Sequence, residues 1–495
     1  MRGDSFIWSL VTTVPLLSTA VESLKVAKRD TPSVIGFDIE RFQAAKPVHR
    51  DIIAKRASTK TVSQDLDNQK NLYFCNLTLG TPPQTIRAHI DTGSSDLWVN
   101  TEESRFCSSR RSPCRQGGTY DSSGSSSYNL VSNDFNISYV DGSGASGDYV
   151  TDVINVGGIR LEDFQFAIGH TSSSPLGVLG IGYEAGEAQV NRFGDEPYAN
   201  LPAALVKAGH IRSNAYSLWL NDLNASRGQI LFGGVDTGKF DGKLQTVPVL
   251  HTRNGEYNSL VVALTGVGIR TGSEGSTDSF PTQPVAVAMD SGSSLSYLPD
   301  SLAARVYNAV DAIFDPSNNL AFVPCSMAND DRKLVFTFSS PQIVVGMDEL
   351  VIDLGPDANG NEATFSDGSK ACVFGVAPAG ESISILGDTV LRSAYLVYDL
   401  DNNEISIAET RFNSTETNIL EIGTGEDSVP DATGVPNAVT SAQITQATGL
   451  PGVETGVPGA RPTSSEGAAP TMGPDMTFGV AAAGLAGAGM LFAAM

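Results

Sequence analysis

The stretch that decides the fold is AHIDTGSSDLWVN, residues 88–100, in which a β-like run of residues ends at Asp91. Asp, Gly and Ser favour turns, so a single Asp-Thr-Gly is consistent with an ordinary loop. A second copy, VAMDSGSSLSYL, occupies residues 287–298 and places Asp290 199 residues after Asp91. A turn has no reason to recur with its flanks preserved, so the repeat indicates an internal duplication.

Each copy is also followed by an apolar-apolar-Gly element, GVLGIG at 177–182 and SILGDT at 384–389. Two related lobes that face each other would bring Asp91 and Asp290 together. Two close carboxylates share one proton, because they cannot both ionise easily. One can then act as general base on a water molecule while the other protonates a carbonyl oxygen. The pattern predicts hydrolysis of amide bonds without a metal or another cofactor.

The residues that follow each Asp fit the same role. Gly at the second position lets the backbone turn tightly and aim N–H groups at the carboxylate, and Ser at the third can donate to its outer oxygen. The predicted supporting set is Thr92, Gly93 and Ser94 in the first copy and Ser291, Gly292 and Ser293 in the second.

Length and composition limit the class of protein. The chain has 495 residues, is 41% hydrophobic and contains 50 Gly and 25 Pro, which suits two turn-rich lobes with appended segments. Its formal net charge of -23 makes nucleic acid a poor partner. The two lobes and their flanks are predicted to occupy residues 57–420.

The amino-terminal segments are typical of a secreted zymogen. Residues 1–20 combine an apolar run with a small-x-small cleavage site and predict a signal peptide. Residues 21–56 contain eight basic and five acidic residues and end in the dibasic pair Lys55-Arg56. A basic segment before an acidic body favours docking, so we expect a propeptide that is a partner of its own enzyme. The alternative for this segment is a solvated linker.

The carboxyl-terminal segments indicate a surface anchor. Residues 421–466 are rich in Gly, Ser, Thr and Pro without a hydrophobic period and predict a flexible stalk. Residues 467–495 are small and polar and then apolar, the order of a glycosylphosphatidylinositol (GPI) signal that is removed on attachment. The alternative is a tail-anchoring transmembrane helix, although no Lys or Arg follows the apolar tail. We expect a location on the outer face of the plasma membrane or in the cell wall.

Five cysteines in a secreted chain predict disulfides. Cys107 and Cys114 are close in sequence, Cys325 and Cys372 form the natural second pair, and Cys75 is left as a buried free thiol. The acceptor sequences for N-glycans are Asn76, Asn136, Asn224 and Asn413.

Further motifs extend the likeness beyond the two Asp residues. LGTPPQ occupies residues 79–84, ISYVDGSGASG occupies 137–147, and ILGDTVLRSAYLVYDLDNNEISIA occupies 385–408. With DTGSSDLWV, these segments resemble the pepsin-like aspartic proteases over residues 72–412. The resemblance implies an all-β, bilobal fold with two pseudo-symmetric lobes, about 72–240 and 241–412, and a few short helices.

The resemblance also assigns a substrate-covering hairpin, the flap. Tyr139 matches the flap tyrosine, Trp98 matches the tryptophan whose indole N–H binds that tyrosine, and Asp141 and Gly142 follow at the flap tip. The signal, dibasic segment, stalk and anchor together resemble the fungal yapsin-like branch. That branch implies a preference for basic residues at the cleavage site, with Asp141 as the acidic partner. The equal alternative is that Asp141 only bonds its own backbone in the hairpin turn.

The sequence departs from the family at His89, where an apolar residue is usual. Two interpretations remain open, a hydrogen-bonded core histidine and a residue that tunes the dyad. Helices are predicted at 301–315, capped by Asp300 or Ser301, and at 201–209.

Other hydrolase classes lack their motifs here, since no His-Glu-x-x-His and no Gly-x-Ser-x-Gly occurs. The remaining alternative to an acid endopeptidase is a non-catalytic wall or adhesion protein on the same scaffold. We expect a monomer that acts on protein or peptide substrates.

Overall fold

The computed structural model describes residues 34–41, 72–109, 112–139, 142–272, 275–356, 362–444, 449–450 and 452–456. The predicted signal peptide, most of the predicted propeptide with its dibasic site, Asp141 at the flap tip and the predicted anchor signal lie outside these residues. Among the residues that are described, none belongs to a helix long and apolar enough to span a bilayer.

Strands dominate the described chain. The strands of its first half are β1 (Ile35–Arg41), β2 (Tyr73–Leu79), β3 (Gln84–Asp91), β4 (Leu97–Asn100), β5 (Asn129–Ser138), β6 (Gly144–Val156), β7 (Ile159–Ser172), β8 (Gly177–Gly180), β9 (Ala215–Trp219), β10 (Arg227–Phe232), β11 (Gly234–Asp236) and β12 (Phe240–Pro248).

The strands of the second half are β13 (Val261–Leu264), β14 (Gly266–Thr271), β15 (Thr277–Phe280), β16 (Val285–Met289), β17 (Ser296–Leu298), β18 (Ile313–Asp315), β19 (Leu320–Pro324), β20 (Arg332–Thr337), β21 (Gln342–Gly346), β22 (Val351–Ile352), β23 (Ala371–Phe374), β24 (Val376–Pro378), β25 (Ser384–Leu386), β26 (Ala394–Asp399), β27 (Glu404–Thr410), β28 (Ile419–Glu421) and β29 (Ala432–Gly434). The helices are α1 (Ala188–Phe193), α2 (Leu201–Lys207), α3 (Asp300–Val310), α4 (Met347–Leu350) and α5 (Asp388–Leu391).

The strands form one large sheet and several smaller ones. A 14-stranded sheet runs β29-β12-β27-β26-β9-β10-β1-β2-β3-β8-β4-β7-β6-β5. The second lobe adds the five-stranded sheet β13-β16-β25-β17-β24 and two four-stranded sheets, β15-β14-β20-β21 and β18-β19-β23-β22. The predicted all-β, two-lobed architecture with few short helices is confirmed.

The duplication seen in the sequence recurs in the strand pairing. In the first lobe, β3 lies parallel to β8 and β8 lies antiparallel to β4. In the second lobe, β16 lies parallel to β25 and β25 lies antiparallel to β17. In both lobes, therefore, the chain leaves the strand that leads to the predicted catalytic Asp, β3 or β16, and turns next to that residue.

The apolar-apolar-Gly elements keep each catalytic turn close to the sheet. A Cβ on Gly180 would lie 2.6 Å from the Asp96 backbone nitrogen, and a Cβ on Gly387 would lie 2.3 Å from the Ser293 carbonyl oxygen. Only a residue without a side chain fits at these two crossings.

The predicted helices exist but are shorter than predicted. Helix α2 ends at Lys207, and α3 ends at Val310 because Asp311 adopts a left-handed conformation, φ 54°. The apolar residue Ile313, assigned to the helix from its spacing, begins strand β18 instead. Asp300 does not cap α3; its two oxygens accept from the backbone of Gly380 and Gly449, at 3.0 and 2.9 Å.

The predicted stalk is the largest difference between sequence and structure. Residues 419–444, 449–450 and 452–456, here called the C-terminal strap, lie against the folded body. Strand β28 pairs with β11, and β29 lies parallel to β12. Further along, the Ala286 N–H donates to Gln443 O at 3.0 Å, and the Phe314 N–H donates to Glu454 O at 2.9 Å. A free stalk starting at residue 421 is therefore wrong for the strap, parts of whose main chain pair with strands of the folded body.

One short piece of the predicted propeptide is described. Strand β1 lies between β10 and β2 in the large sheet, and its register with β10 runs from Ile35 opposite Phe232 to Glu40 opposite Arg227. Ile35 and Ile39 are buried in the main core. This segment therefore supplies a central strand of the sheet.

Candidate active site

The two predicted catalytic loops meet between the lobes. Asp91 is the last residue of β3, and Asp290 follows β16 directly. A Cβ on Gly93 would lie 2.6 Å from the Asp290 carboxyl carbon, and a Cβ on Gly292 would lie 2.3 Å from Asp91 Oδ1. Each carboxylate thus rests against the glycine of the opposite loop, and both positions require glycine.

Each carboxylate is held by its own loop in the predicted way. Asp91 accepts from the Gly93 N–H at 2.8 Å and from Ser94 Oγ at 2.5 Å. Asp290 accepts from the Gly292 N–H at 2.7 Å and from Ser293 Oγ at 2.8 Å. The structure therefore brings the supporting glycines and serines of both copies to the dyad.

Thr92 and Ser291 join the loops to each other. The Ser291 N–H donates to Thr92 Oγ1 at 3.0 Å, and the Thr92 N–H donates to Ser291 Oγ at 3.3 Å. Thr92 Oγ1 donates onward to Met289 O at 2.8 Å, and Ser291 Oγ donates to Ile90 O at 3.1 Å. Since every one of these bonds crosses between the lobes, the two side chains fix the separation of the carboxylates.

The electrostatics of the site favour a shared proton. Only 5% of the Asp91 surface is exposed. Burial and, second, the nearby charge of Asp290 raise the pKa of Asp91 well above its usual value, although Ser94 and Gly93 oppose the shift. A raised pKa on one of two adjacent carboxylates is the behaviour expected of a pair that shares a proton, and the singly protonated pair is the state that the acid–base chemistry requires.

The flap is built as predicted up to its tip. Trp98, fully buried, donates from Nε1 to Tyr139 Oη at 2.7 Å. The Tyr139 N–H donates to Ser143 O at 2.8 Å, and the Gly142 N–H donates to Tyr139 O at 3.0 Å, which closes the hairpin between β5 and β6. Gly142 has φ 78°, a conformation that favours glycine. Burial and the charge of Asp91 raise the pKa of Tyr139, so its hydroxyl keeps its proton.

An acidic cluster behind Trp98 was missed by the sequence reasoning. Asp96 Oδ1 accepts from the hydroxyls of Tyr149 and Tyr198, at 2.9 and 3.0 Å, and Asp96 Oδ2 accepts from the Ala188 N–H at 2.8 Å. Burial raises the pKa of Asp96, and that of nearby Glu187 to about 10. The available signal was the position of Asp96 inside the DTGSSD motif.

The cysteine predictions are confirmed. Cys107 is bonded to Cys114, and Cys325 to Cys372. Cys75 is free and buried, and burial raises the pKa of its thiol to about 12. A thiol in that state is a packing residue and not a nucleophile.

The predicted glycan acceptors are mostly accessible. Asn76, Asn224 and Asn413 are exposed, and Asn136 is half-buried. Glycosylation itself stays a prediction. In the described part of the chain, no group of three or more His, Cys, Asp or Glu side chains is placed to hold a metal ion.

The comparisons with known proteins agree with the geometry of the site. The family model for eukaryotic aspartyl proteases matches residues 72–410. The chain is 88% identical over 495 residues, covering 100% of both chains, to "Probable aspartic-type endopeptidase OPSB" of Trichophyton verrucosum. It is 52% identical over 475 residues, 94% of this chain and 95% of the relative, to the protein of the same name in Aspergillus oryzae.

More distant relatives share the scaffold. The chain is 32% identical to "Aspartic proteinase yapsin-3" of Saccharomyces cerevisiae over 384 residues, 75% of this chain and 72% of the relative. The crystal structure of an aspartic proteinase from Irpex lacteus superposes with a TM-score of 0.54 at 20% identity, covering 70% of this chain and 96% of that one. The first comparison bears on ancestry and the second on the fold alone.

Proposed function

Since the chain belongs to the eukaryotic aspartyl protease family and is an aspartic-type endopeptidase, we propose that it works as a secreted, surface-anchored enzyme that cuts proteins and peptides in acid. The observation that carries the catalytic part is the pair of carboxylates, Asp91 and Asp290, each resting against the other loop's glycine. A non-catalytic wall protein would need no such pair.

The chemistry follows from the contacts. The ionised carboxylate takes a proton from a water molecule held between Asp91 and Asp290 as the water oxygen bonds to the scissile carbonyl carbon, and the protonated carboxylate donates to the carbonyl oxygen. The C–N bond of the resulting tetrahedral diol then breaks as the amine nitrogen takes a proton from the first carboxylate and the second recovers one from a diol hydroxyl. Ser94 and Ser293 hold the outer oxygens, so the inner oxygens stay aimed at the water. Trp98 holds the hydroxyl of Tyr139 in place as the flap closes and excludes bulk water.

Turnover of a fluorogenic peptide at acid pH tests this mechanism. Asp91→Asn and Asp290→Asn should each remove nearly all activity, because each destroys the shared-proton pair. Ser340→Ala, at an exposed hydroxyl that contacts Gln245, is a matched surface control and should leave turnover unchanged. A dyad variant that keeps a tenth of the wild-type kcat would overturn the mechanism.

The zymogen part of the proposal is supported by β1. This strand belongs to the basic segment 21–56 and pairs with β10 and β2 of the acidic body. We infer cleavage after Arg56, and sequencing the amino terminus of active enzyme tests it. Active enzyme that starts near Val21 would contradict it.

The surface-anchor part is supported by the composition of residues 467–495. Phosphatidylinositol-specific phospholipase C should release the enzyme from membranes, whereas the same phospholipase after heat inactivation should not. Mature protein that still carries GLAGAGMLFAAM would exclude a GPI anchor.

The preference for basic residues is supported by the sequence position of Asp141, two residues after the flap tyrosine Tyr139, and by the resemblance to the yapsin-like branch. An acidic group near the bound peptide can pair with Lys or Arg, worth about fivefold in kcat/KM for a partly exposed pair. The test compares matched peptides with Lys or Leu before the cut bond in wild type and Asp141→Thr. Asp134→Thr, at an exposed position on β5, controls for the loss of one negative charge. If the Lys-to-Leu ratio of kcat/KM does not fall in Asp141→Thr, or falls equally in Asp134→Thr, then Asp141 does not recognise substrate charge.

A further inference from the structure

His89 lies at the junction of the two lobes. It belongs to β3, two residues before Asp91, and only 6% of its surface is exposed. Its ring packs on Phe74 of the neighbouring strand, with ring centroids 5.5 Å apart. Its Nε2 lies 3.2 Å from the carbonyl oxygen of Ser291, in the catalytic loop of the other lobe. Because a carbonyl oxygen can only accept, Nε2 carries the proton and donates.

The bonded carbonyl belongs to a peptide group that also touches the dyad. In the peptide unit between Ser291 and Gly292, the C=O accepts from His89, and the N–H donates to Asp290 Oδ1 at 2.7 Å. A hydrogen bond to the C=O of a peptide polarises it and makes its N–H a stronger donor. The contacts therefore form one chain from the His89 ring, through a single peptide group, to a catalytic carboxylate.

The arrangement breaks the pseudo-symmetry of the lobes. The position that matches His89 in the second copy, two residues before Asp290, is occupied by Ala288. A methyl group donates no hydrogen bond, so the Thr92–Gly93 peptide beside Asp91 receives no equivalent help from that strand. The two loops hold their carboxylates with matching Gly and Ser donors, but the hydrogen bond from His89 to the peptide beside Asp290 has no counterpart in the first loop.

We propose that His89 is a positioning residue of the dyad that stabilises ionised Asp290 through the Ser291–Gly292 peptide and so leaves the shared proton on Asp91. The role rests on the two-carboxylate mechanism proposed above. It agrees with the surroundings of Asp91, whose burial and whose neighbour Asp290 both raise its pKa. The imidazole need not be charged for this role, since burial lowers its pKa to about 4.

The charged groups around His89 are few. On its own strand they are Asp91 and Arg87; Arg87 lies over the Phe74 ring at 5.1 Å and pairs at 3.7 Å with Glu40 of β1, not with the His89 ring. From the other lobe the facing charge is Asp290. The strands paired with β3, namely β2 and β8, carry no charged residue. Loss of the Nε2–H donor therefore acts on the dyad through the peptide and not through a rearranged ion pair.

The test is the pH profile of kcat/KM for His89→Leu and His89→Gln. The acid limb reports the first ionisation of the pair, so losing the donor in His89→Leu should move that limb upward by about 0.5 pH unit. On the acid side this lowers kcat/KM about threefold, with KM and the rate at the optimum nearly unchanged. His89→Gln keeps an N–H donor and should restore the wild-type limb.

Controls separate positioning from packing. Phe74→Leu disturbs the same pocket without touching the donor, so it should leave the acid limb in place. An unshifted limb in His89→Leu, a shifted limb in His89→Gln, or an equal shift in Phe74→Leu would each overturn the proposal. If His89→Leu does not fold, as judged by near-UV circular dichroism, His89→Met replaces it as the variant without a donor, and an unshifted acid limb in that variant overturns the proposal. Turnover by Asp290→Asn would instead refute the underlying two-carboxylate mechanism.

Discussion

Replacing His89 with Gln should make the protein more stable in acid than the wild type. Burial, opposed by the Ser291 carbonyl, lowers the pKa of His89 from 6.5 to about 4. Well above pH 6.5, neither the folded nor the unfolded state protonates this ring. As the pH falls below 6.5, the unfolded state gains a proton that the folded state does not take up until about pH 4. The histidine therefore costs stability progressively across this window.

The size of the effect follows from linkage. Between about pH 7.5 and about pH 5, the His89 ring costs about 2 kcal/mol of unfolding free energy. Below the folded pKa the cost levels off at about 3 kcal/mol. For a folded body of this length, 2 kcal/mol corresponds to about 3 °C in the unfolding midpoint. Gln does not titrate, so the variant escapes this cost while keeping an N–H donor.

The assay is calorimetric unfolding of both proteins at the two pH values, each carrying Asp290→Asn to prevent self-digestion. That background keeps burial and the Ser291 carbonyl, the two causes of the shift. All other titrating groups cancel in the difference between the variants. If the Gln-minus-His difference in midpoint is the same at both pH values, the ring is not a neutral buried group and the reasoning is refuted.

Four further outcomes are expected. Glu187→Gln should raise the unfolding midpoint at neutral pH but not near pH 4. Because the folded state raises the pKa of Glu187 from 4.5 to about 10, this carboxyl destabilises the folded protein progressively as the pH rises above 4.5. An equal gain at both pH values would contradict this. Removing the second disulfide by the double substitution Cys325→Ser and Cys372→Ser should lower the free energy of unfolding by up to about 4 kcal/mol, because the bond closes a loop between residues 47 positions apart. A urea titration measures this, and an unchanged midpoint would contradict it. Ending the chain after residue 434 should lower the unfolding midpoint by about 4 °C relative to a chain ending after 456, whereas equal midpoints would mean that the part of the strap after β29 contributes nothing. Trp98→Phe should reduce kcat/KM about fivefold by freeing the Tyr139 hydroxyl, with a wild-type value counting against a role for that bond.

The catalytic centre could be predicted because duplication records it twice. Asp91 and Asp290 each carry the same neighbours, and each neighbour has one geometric use, such as a glycine where the opposite carboxylate rests. The disulfides were predictable from five cysteines in a chain that is predicted to be secreted. What could not be predicted is what only the docking of the two lobes creates. His89 looks like a core residue on one strand, and its partner Ser291 is 202 residues away.

The end of α3 shows a second limit, since hydrophobic spacing alone cannot place a boundary. Ile313 continues the apolar face of the helix in sequence, yet the chain has already turned at Asp311 into β18. The acidic cluster around Asp96 shows a third limit. Tyr149 and Tyr198 come from the flap and from a loop, and nothing in the sequence links them to Asp96.

The strap was predicted wrongly for a physical reason, and the error changes how far the enzyme can extend from its proposed anchor. Composition measures whether a segment can bury a core of its own, whereas strand addition needs only main-chain groups and a sheet edge. Ala432–Gly434 pairs with β12 through its main chain while Thr433 and Gly434 stay exposed, so the pairing needs no core of its own. A free stalk over 421–466 would extend about 150 Å, but only 457–466 follow the strap, about 35 Å of extended chain. If the proposed anchor is attached near residue 466, the cleft is held close to the surface that carries it, and substrates on that surface are favoured over distant ones by effective concentration.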